Sequence, residues 1–314
     1  MEVYTITKFL RDTQNLMTSL KEKNEDYLKA FQDEVAFKFR KIKFEEDLYG
    51  NILQHELKDI ISQMYKTIDL IKTLSAKDIC DILLENSKYE IYKPPFGFYR
   101  VLRYFDGFAP EAMCHNLKEN TSENRYNKKG QPCCYLSEHA KLAWIEANKP
   151  EHFYIANFEI ERKFLFVQSP KQFIEENALD IAGRKKKDIS KKIIHYLNCL
   201  PIYFMMSLPD RTNNGYQIPQ LVIEYLTENV SDFGGILYKN CASYEIKFEG
   251  VKDPVKFDKY NLAILARNDF EGHYSRYIKN ILKIDKKQKI DLVDIHGKSE
   301  NLIDKEFKKI GIYI

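Results

Sequence analysis

Four side chains within residues 100–146 are of the types that cleave a charged N-glycosidic bond: Arg100, Arg125, Tyr135 and Glu146. The transition state of that cleavage is a ribosyl oxocarbenium ion, which a carboxylate stabilises directly or orients through the ribose hydroxyls. Arginine binds phosphate oxygens with paired N–H donors, and tyrosine offers a flat face to a heteroaromatic ring. The hypothesis requires Arg100 and Glu146 to line one shared cleft.

The order and spacing of the short motifs that carry these residues resemble the RES domain. The motifs are Tyr99-Arg100-Val101, Asn124-Arg125-Tyr126-Asn127-Lys128-Lys129-Gly130, Cys134-Tyr135-Leu136-Ser137 and Trp144-Ile145-Glu146-Ala147. Weaker matches follow at residues 216–220, 234–238 and 261–264. The resemblance therefore covers roughly residues 91–270, and its middle motifs are the specific part.

The RES resemblance implies an ADP-ribosyltransferase-like fold and either breakdown of NAD⁺, by a glycohydrolase or a phosphorylase, or transfer of its ADP-ribose unit. By this resemblance Arg100 and Arg125 bind phosphate or ribose, Tyr135 lines the nicotinamide pocket, and Glu146 is the catalytic carboxylate. Asn127 joins Arg125 in the expected binding set. NAD⁺ is the expected substrate, and no metal is expected. The resemblance also implies a toxin or phage-defence effector that a partner antitoxin or regulatory protein restrains.

The chain departs from the RES pattern at the serine that gives the family its last letter. Asn240 or Cys241 occupies that place, and Ser243 comes two or three residues later. An asparagine amide can still hydrogen-bond phosphate or ribose, so Asn240 and Cys241 complete the expected binding set. A buried, unreactive thiol is the preferred interpretation of Cys241, because no histidine is indicated as its partner.

Three other functions remain open on the sequence alone. A mono-ADP-ribosyltransferase would use the same pocket and pass the ribosyl cation to a macromolecule. An inactive RES-like binding module would explain the replaced serine. A HEPN-like ribonuclease is suggested by the R-N-x₄-H pattern of Arg267 and His273, which would have to face RNA from a helix. The basic run 183–192 is a further, weak indication of nucleic-acid binding.

Composition and charge limit the class of protein. The 49 Lys+Arg and 46 Asp+Glu nearly balance, so charge alone indicates no nucleic-acid or membrane partner. The six cysteines form no CxxC pair, which favours reduced thiols and argues against zinc. The sequence has neither an apolar leader nor a run of about 20 apolar residues, so a cytoplasmic, soluble protein is expected.

The fold expected is α+β: an ADP-ribosyltransferase-like mixed β-sheet domain preceded by an all-helical N-terminal module. All ten prolines lie at or beyond Pro94, so residues 1–90 are predicted to be a helical module with a regulatory or oligomerising role, which ends at the diproline Pro94-Pro95. Apolar residues spaced by threes and fours predict two of its helices, one marked by Leu28, Phe31, Val35 and Phe39 and one by Ile60, Met64, Ile68 and Ile71. Ser75 is expected to begin a short helix with Ile79, Ile82 and Leu83 on its apolar side. Residues 91–314 are the predicted catalytic domain. There the pattern predicts strands near 97–105, 133–136 and 235–238, and a hairpin over 153–166. Ser137 is expected to cap a helix over 138–148.

Overall fold

The structure is a computed structural model of the chain, whose helices, strands and loops combine into a mixed α+β architecture with a mostly antiparallel sheet. The α+β class expected from the sequence is therefore confirmed. The described residues are 30–31, 33–34, 48–87, 97–105, 110–161, 164–168, 198–206, 216–239, 245–246, 255–256, 260–284, 289–295 and 303–312. None of the described helices is both long enough and apolar enough to cross a membrane.

The chain divides into two compact units. The first comprises residues 1–90 and 168–225, and the second comprises 91–167 and 226–314. The division predicted from sequence shares the break after residue 90 but places 168–225 with the catalytic part. The diproline at Pro94-Pro95, which suggested the break, lies outside the described residues. The predicted domain boundaries therefore stay a prediction.

Helices make up the described part of the first unit. Helix α1 spans Leu48–Thr73 and α2 spans Ala76–Ser87. The predicted apolar spacing of α1 is confirmed where its burial is described, because Met64, Ile68 and Ile71 are all buried. A further helical segment covers residues 198–206, and the Leu28 and Phe39 ends of an earlier predicted helix lie outside the described residues.

The short helix α2 begins as its sequence predicts. Ser75 Oγ lies 2.5 Å from Asp78 Oδ2, and the N–H of Ile79 donates to the Ser75 carbonyl. Ile79 and Leu83 are buried, which gives the helix the apolar side expected of a stripe spaced by threes and fours. The helix start at Ser75 is therefore confirmed.

The second unit is built on a seven-stranded sheet with the order β11-β3-β1-β2-β8-β5-β4. Its strands are β1 (Phe98–Leu102), β2 (Cys133–Ser137), β3 (His152–Phe158), β4 (Leu165–Gln168), β5 (Phe233–Lys239), β8 (Tyr260–Leu265) and β11 (Ile290–Asp294). Two small ribbons pair β6 (Glu245–Ile246) with β7 (Val255–Lys256), and β9 (Phe270–Glu271) with β10 (Tyr274–Ser275). Besides the helical segment 198–206, the α-helices described after α2 are α3 (Ala140–Glu146), α4 (Gln217–Asn229), α5 (Arg276–Ile281) and α6 (Ile303–Lys309). Helix α4 crosses the division between the two units, which falls after residue 225.

Side-chain alternation gives the sheet two different faces. On one face, Val101 and Ile155 pack with Trp144 of α3 and with Ile303 and Phe307 of α6. On the other face, a larger apolar cluster contains residues from β1, β2, β3, β5, β8 and α5. Helices α3 and α6 therefore lie over the β11, β3 and β1 side of the first face. That arrangement determines where the end of α3 projects.

Two local predictions for this unit are wrong. Strands β3 and β4 do not form a hairpin, because β1, β2, β8 and β5 stand between them in the sheet. Ser137 does not cap the following helix, because it is the last residue of β2 and its hydroxyl turns to another strand. The cap of α3 is His139, whose Nδ1 accepts the N–H of Lys141 at 3.2 Å.

A glycine pair lets β5 run close to its neighbours. Gly235 has a φ of 142°, and a Cβ there would lie 2.4 Å from the carbonyl oxygen of Ala263 on β8. A Cβ on Gly234 would lie 2.6 Å from the Phe166 ring. Only glycine fits both places without displacement of the neighbours. The strand is thereby aligned so that Tyr238, three residues later, lies opposite Asn261 of β8.

Candidate active site

Glu146 is the last residue of α3, and its carboxylate reaches the sheet. Glu146 Oε1 accepts a hydrogen bond from Asn261 Nδ2 at 2.6 Å. The side chain as a whole is solvent-exposed, yet protein surrounds the carboxyl group closely enough to raise its pKa to about 7. Burial causes this rise, and the Asn261 hydrogen bond opposes it. A carboxyl group that is enclosed and still reaches solvent is suited to meet a bound substrate.

Two buried polar residues of neighbouring strands lie beneath Glu146. Ser137 on β2 and Asn261 on β8 stand directly opposite each other in the antiparallel ladder. Ser137 Oγ donates to Asn261 Oδ1 at 2.7 Å. Both residues are almost fully buried, at 2% and 0% exposure. We call the side of the sheet that bears Ser137, Asn261 and Glu146 the carboxylate face.

Tyr238 adds an aromatic ring to the carboxylate face. It is paired with Asn261 across β5 and β8, so the two side chains project to the same side. The rings of Tyr126 and Tyr238 have centroids 4.9 Å apart at 49°. Burial raises the pKa of Tyr238, the negative charge of Glu146 raises it further, and the positive charge of Arg125 lowers it. Tyr238 therefore lies within electrostatic range of both the carboxylate and the arginine.

Arg125 is held in a tight turn. The backbones of Asn124 and Asn127 pair in both directions, with N···O distances of 3.0 and 3.2 Å. Arg125 and Tyr126 occupy the two positions between them, with Arg125 half-buried and Tyr126 buried. The turn thus presents a cation and an aromatic ring together near Tyr238.

Tyr135 and Asn127 connect that turn to the sheet. Tyr135 Oη donates to Asn127 Oδ1 at 2.8 Å and accepts the N–H of Tyr126 at 3.1 Å. Asn127 Nδ2 donates to the carbonyls of Ser122 and Lys128 at 2.7 and 2.9 Å. The Asn127 amide is therefore engaged on both of its ends. Its observed contacts stabilise the loop, and its expected ligand contact stays a prediction.

Arg100 lies on the opposite side of the sheet from Glu146. Its backbone pairs with that of Ala156 on β3, a residue of the larger apolar cluster. The Arg100 side chain is 8% exposed, and its Nη1 lies 3.6 Å from Cys134 Sγ. Nη1 also donates to the carbonyl oxygen of Cys114. We call this side the arginine face. The expected convergence of Arg100 and Glu146 on one cleft is not found, because alternate residues of a strand project to opposite faces.

The structure therefore brings together part of the expected set. Glu146, Arg125 and Tyr135 each interact electrostatically with Tyr238, and Asn127 stabilises the loop that carries Arg125. Arg100 stands apart from them. Asn240 and Cys241 lie outside the described residues, as does the basic run 183–192. Their expected roles stay predictions.

Three residues of the site were not predicted as functional from sequence: Ser137, Asn261 and Tyr238. Tyr238 and Asn261 fall in the weaker downstream motifs, which gave a signal but no role. Their proximity depends on pairing between β2, β8 and β5, which are separated by long stretches of chain. A correct strand register would have revealed them.

The R-N-x₄-H segment does not form the helix that a HEPN-like site needs. Arg267 follows β8, donates to the carbonyl of Val230 at 2.7 Å, and lies 4.0 Å from the Tyr277 ring centroid. His273 is exposed in the turn between β9 and β10, beside Gly272 with a φ of 62°. The segment is a β-ribbon, so the ribonuclease alternative loses the structural basis of its motif.

The site offers one enclosed carboxyl, one guanidinium and three tyrosine rings. The described residues contain no cluster of three or more His, Cys, Asp or Glu side chains arranged to hold a metal ion. Comparison of the chain with protein-family models, with curated proteins and with solved structures finds no match in any of the three.

Proposed function

We propose that this protein cleaves the nicotinamide–ribose bond of NAD⁺, with Glu146 as the catalytic carboxylate, in an ADP-ribosyltransferase-like catalytic domain. The observation that supports this most directly is the group formed by Glu146, Arg125, Tyr135 and Tyr238 on one face of the sheet. It contains the carboxylate, phosphate-binding cation and aromatic surface that such a reaction requires. The hypothesis from sequence required Arg100 and Glu146 to share a cleft, and that form of it is not supported, because Arg100 lies on the arginine face. The proposal made here is a narrower one, in which Arg125 alone supplies the phosphate-binding cation and Arg100 has no part in catalysis.

Glu146 acts in its ionised form in the proposed reaction. As the C–N bond breaks, its electron pair returns to the nicotinamide ring and neutralises the pyridinium, so the leaving group needs no proton. The ribosyl carbon becomes an oxocarbenium ion, which the Glu146 carboxylate stabilises electrostatically. Water adds to that carbon and releases one proton. The products are nicotinamide, ADP-ribose and H⁺.

The remaining residues of the group bind the substrate. Arg125 is the proposed partner of the pyrophosphate, since a guanidinium makes paired hydrogen bonds to phosphate oxygens. The half-buried rings of Tyr135 and Tyr238 are the proposed walls against which the nicotinamide ring stacks. Tyr126 backs Tyr238 and restricts its position.

The direct test is nicotinamide release from NAD⁺ by purified full-length protein. The wild type is expected to release it, and Glu146→Gln is expected to lose at least about 100-fold in kcat. Glu151→Gln is the matched control, because Glu151 is an exposed glutamate five residues further along the same segment. Equal, negligible release by wild type and Glu146→Gln contradicts the proposal.

Labelled NAD⁺ tests the acceptor in the same experiment. Label that stays in small products indicates breakdown of NAD⁺, with water or phosphate as the acceptor. Label retained on a protein or nucleic acid indicates ADP-ribosyl transfer, which would replace glycohydrolase with transferase as the activity of the same site.

A further inference from the structure

We propose that Asn261 and Ser137 are positioning residues for Glu146, which hold its carboxylate in one orientation through a hydrogen-bond chain across β2 and β8. The inference rests on the proposed function, because it names the residues that prepare the catalytic carboxylate for that reaction. Neither residue is assigned a role by the RES resemblance.

The chain has two consecutive hydrogen bonds. Ser137 Oγ donates to Asn261 Oδ1 at 2.7 Å, and Asn261 Nδ2 donates to Glu146 Oε1 at 2.6 Å. The first bond joins directly opposed residues of paired strands, so its geometry is set by the sheet. The second joins the sheet to the end of α3. Glu146 is therefore attached by hydrogen bonds to two interior strands of the sheet.

The donor and acceptor roles in the first hydrogen bond determine how the Asn261 amide is oriented in the second. The Ser137 hydroxyl can donate to the carbonyl end of the Asn261 amide and not to its NH₂ end. That interaction turns Nδ2 toward Glu146, where it can only donate. The Glu146 carboxylate is thus met by a donor, which favours its ionised form. Among the described residues, the second Glu146 oxygen has no hydrogen-bond partner, so it is available to a bound substrate.

Glu146 needs such support because of where it lies. It ends α3, and Asn148 and Lys149 follow with left-handed φ angles of 62° and 48°. An exposed glutamate at a helix end would otherwise sample several rotamers. Among the described residues, the titratable group that interacts electrostatically with Glu146 is Tyr238 of β5, which also interacts with Arg125. Asn261 is not titratable and donates a neutral hydrogen bond to the carboxylate.

The first test removes the donor with Asn261→Leu in the full-length protein. We expect kcat for nicotinamide release to fall about tenfold, with KM for NAD⁺ within about twofold, because orientation of the carboxylate is lost and substrate contacts remain. The limb of the pH–rate profile that reports Glu146 ionisation should move to higher pH. A folded Asn261→Leu protein with the wild-type profile and rate overturns the proposal.

The second test uses Ser137→Ala, which keeps Asn261 but frees its amide to turn. We expect the same changes in the same direction, with a smaller loss of about threefold in kcat. Ser275→Ala is the matched control, because Ser275 is also a buried serine, with Oγ 2.8 Å from Asp269 Oδ1 and no bond to the site. If Ser137→Ala behaves like Ser275→Ala, the proposal fails even where Asn261→Leu does not fold.

A readout independent of turnover separates this inference from the proposed function. Carboxyl ¹³C NMR of labelled glutamate, assigned with Glu146→Gln, gives the Glu146 pKa in each variant. A higher pKa in Asn261→Leu or Ser137→Ala supports the positioning chain even if the wild type releases no nicotinamide, in which case only the proposed function fails. An unchanged pKa in both folded variants overturns the chain, whether or not the protein is active.

Discussion

Lys141 and Asp304 form a buried ion pair that joins the first turn of α3 to α6. Lys141 Nζ lies 2.9 Å from one carboxylate oxygen of Asp304 and 3.1 Å from the other. Their side chains are only 6% and 12% exposed. The helix that ends in Glu146 is thus fixed at its start by a charge–charge contact and at its middle by the buried Trp144, which donates to the Pro150 carbonyl at 2.9 Å.

Removing one member of this pair should destabilise the fold. Lys141→Met leaves the Asp304 carboxylate buried without its cation, which costs about 3–5 kcal/mol in the free energy of unfolding. Urea denaturation at pH 7 measures the loss. Addition of Asp304→Asn should recover most of it, since no buried charge is then left unpaired. A loss below about 1 kcal/mol in the single variant would show that the pair is hydrated in solution.

The activity should rise with pH through about 7. The folded pKa of Glu146 is raised from its ordinary 4.5 to about 7 by burial, so the active, ionised form is populated mainly above pH 7. The raised pKa of Glu146 also predicts how stability changes with pH. Ionisation of this carboxyl above pH 4.5 is easier in the unfolded chain, so Glu146 weakens the fold as pH rises from 4.5 to 7.

Two measurements check these expectations for Glu146. The kcat/KM of the wild type between pH 5 and 9 should show the ionisation directly. Glu146→Gln should gain stability relative to wild type as pH rises over the same interval, measured by chemical denaturation. A kcat/KM that stays constant from pH 5 to 9 would show that the carboxyl group is not enclosed in solution.

Arg125 should contribute to binding more than to turnover. Arg125→Gln is expected to raise KM for NAD⁺ about tenfold, the effect of losing one charge-assisted pair of hydrogen bonds, with a smaller change in kcat. Lys129→Gln removes the same charge from an exposed position just after the turn and serves as the control. Equal effects of the two variants would show that only long-range attraction of an anionic substrate is involved.

Arg100 should matter for stability and not for catalysis. Arg100→Met keeps the length of the side chain but leaves the buried Cys114 carbonyl without its donor, which costs about 1–3 kcal/mol. The kcat and KM of the folded fraction should stay within about twofold of wild type. A large rise in KM at unchanged stability would instead place Arg100 at the substrate and contradict its position on the arginine face.

His115 should make the fold sensitive to mild acid. Its Nδ1 lies 2.8 Å from the Asn116 carbonyl and its Nε2 accepts the N–H of Ser275 at 3.2 Å, so both ring nitrogens are used by the neutral form. Burial lowers its pKa from 6.5 to about 4. The unfolded chain therefore binds a proton first, and stability present above pH 6.5 is lost as pH falls toward 4.

The contribution of His115 to the pH dependence of stability can be measured by comparing the wild type with a His115 variant. A shift from 6.5 to about 4 corresponds to about 3 kcal/mol of stability lost over that interval. Comparing urea denaturation of wild type and His115→Gln at several pH values cancels the contribution of Glu146, which has the opposite sign. Parallel pH dependences of the two proteins would exclude His115 as the cause.

The sequence predicts well what depends on neighbouring residues. The apolar spacing of α1, the start of α2 at Ser75 and the strand containing Cys133–Ser137 all follow from local patterns, and the structure confirms them. The α+β class follows from their succession. These features need no knowledge of which strand pairs with which.

What the sequence misses depends on pairing between distant strands. Adjacent motif residues such as Tyr99 and Arg100 project to opposite faces of the sheet. A motif alone therefore does not show which of them lies on the same face as Glu146. Ser137 looks like a helix cap by position, but pairing with β8 gives its hydroxyl a stronger partner in Asn261. The hairpin prediction fails for the same reason, because β3 and β4 find partners elsewhere.

The docking of α6 beneath the helix that carries Glu146 makes the site depend on a distant part of the chain. Ile303 and Phe307 complete the apolar layer on which α3 rests, although they are far from Glu146 in sequence. A change that loosens α6 would therefore displace the carboxylate without altering any residue that touches it.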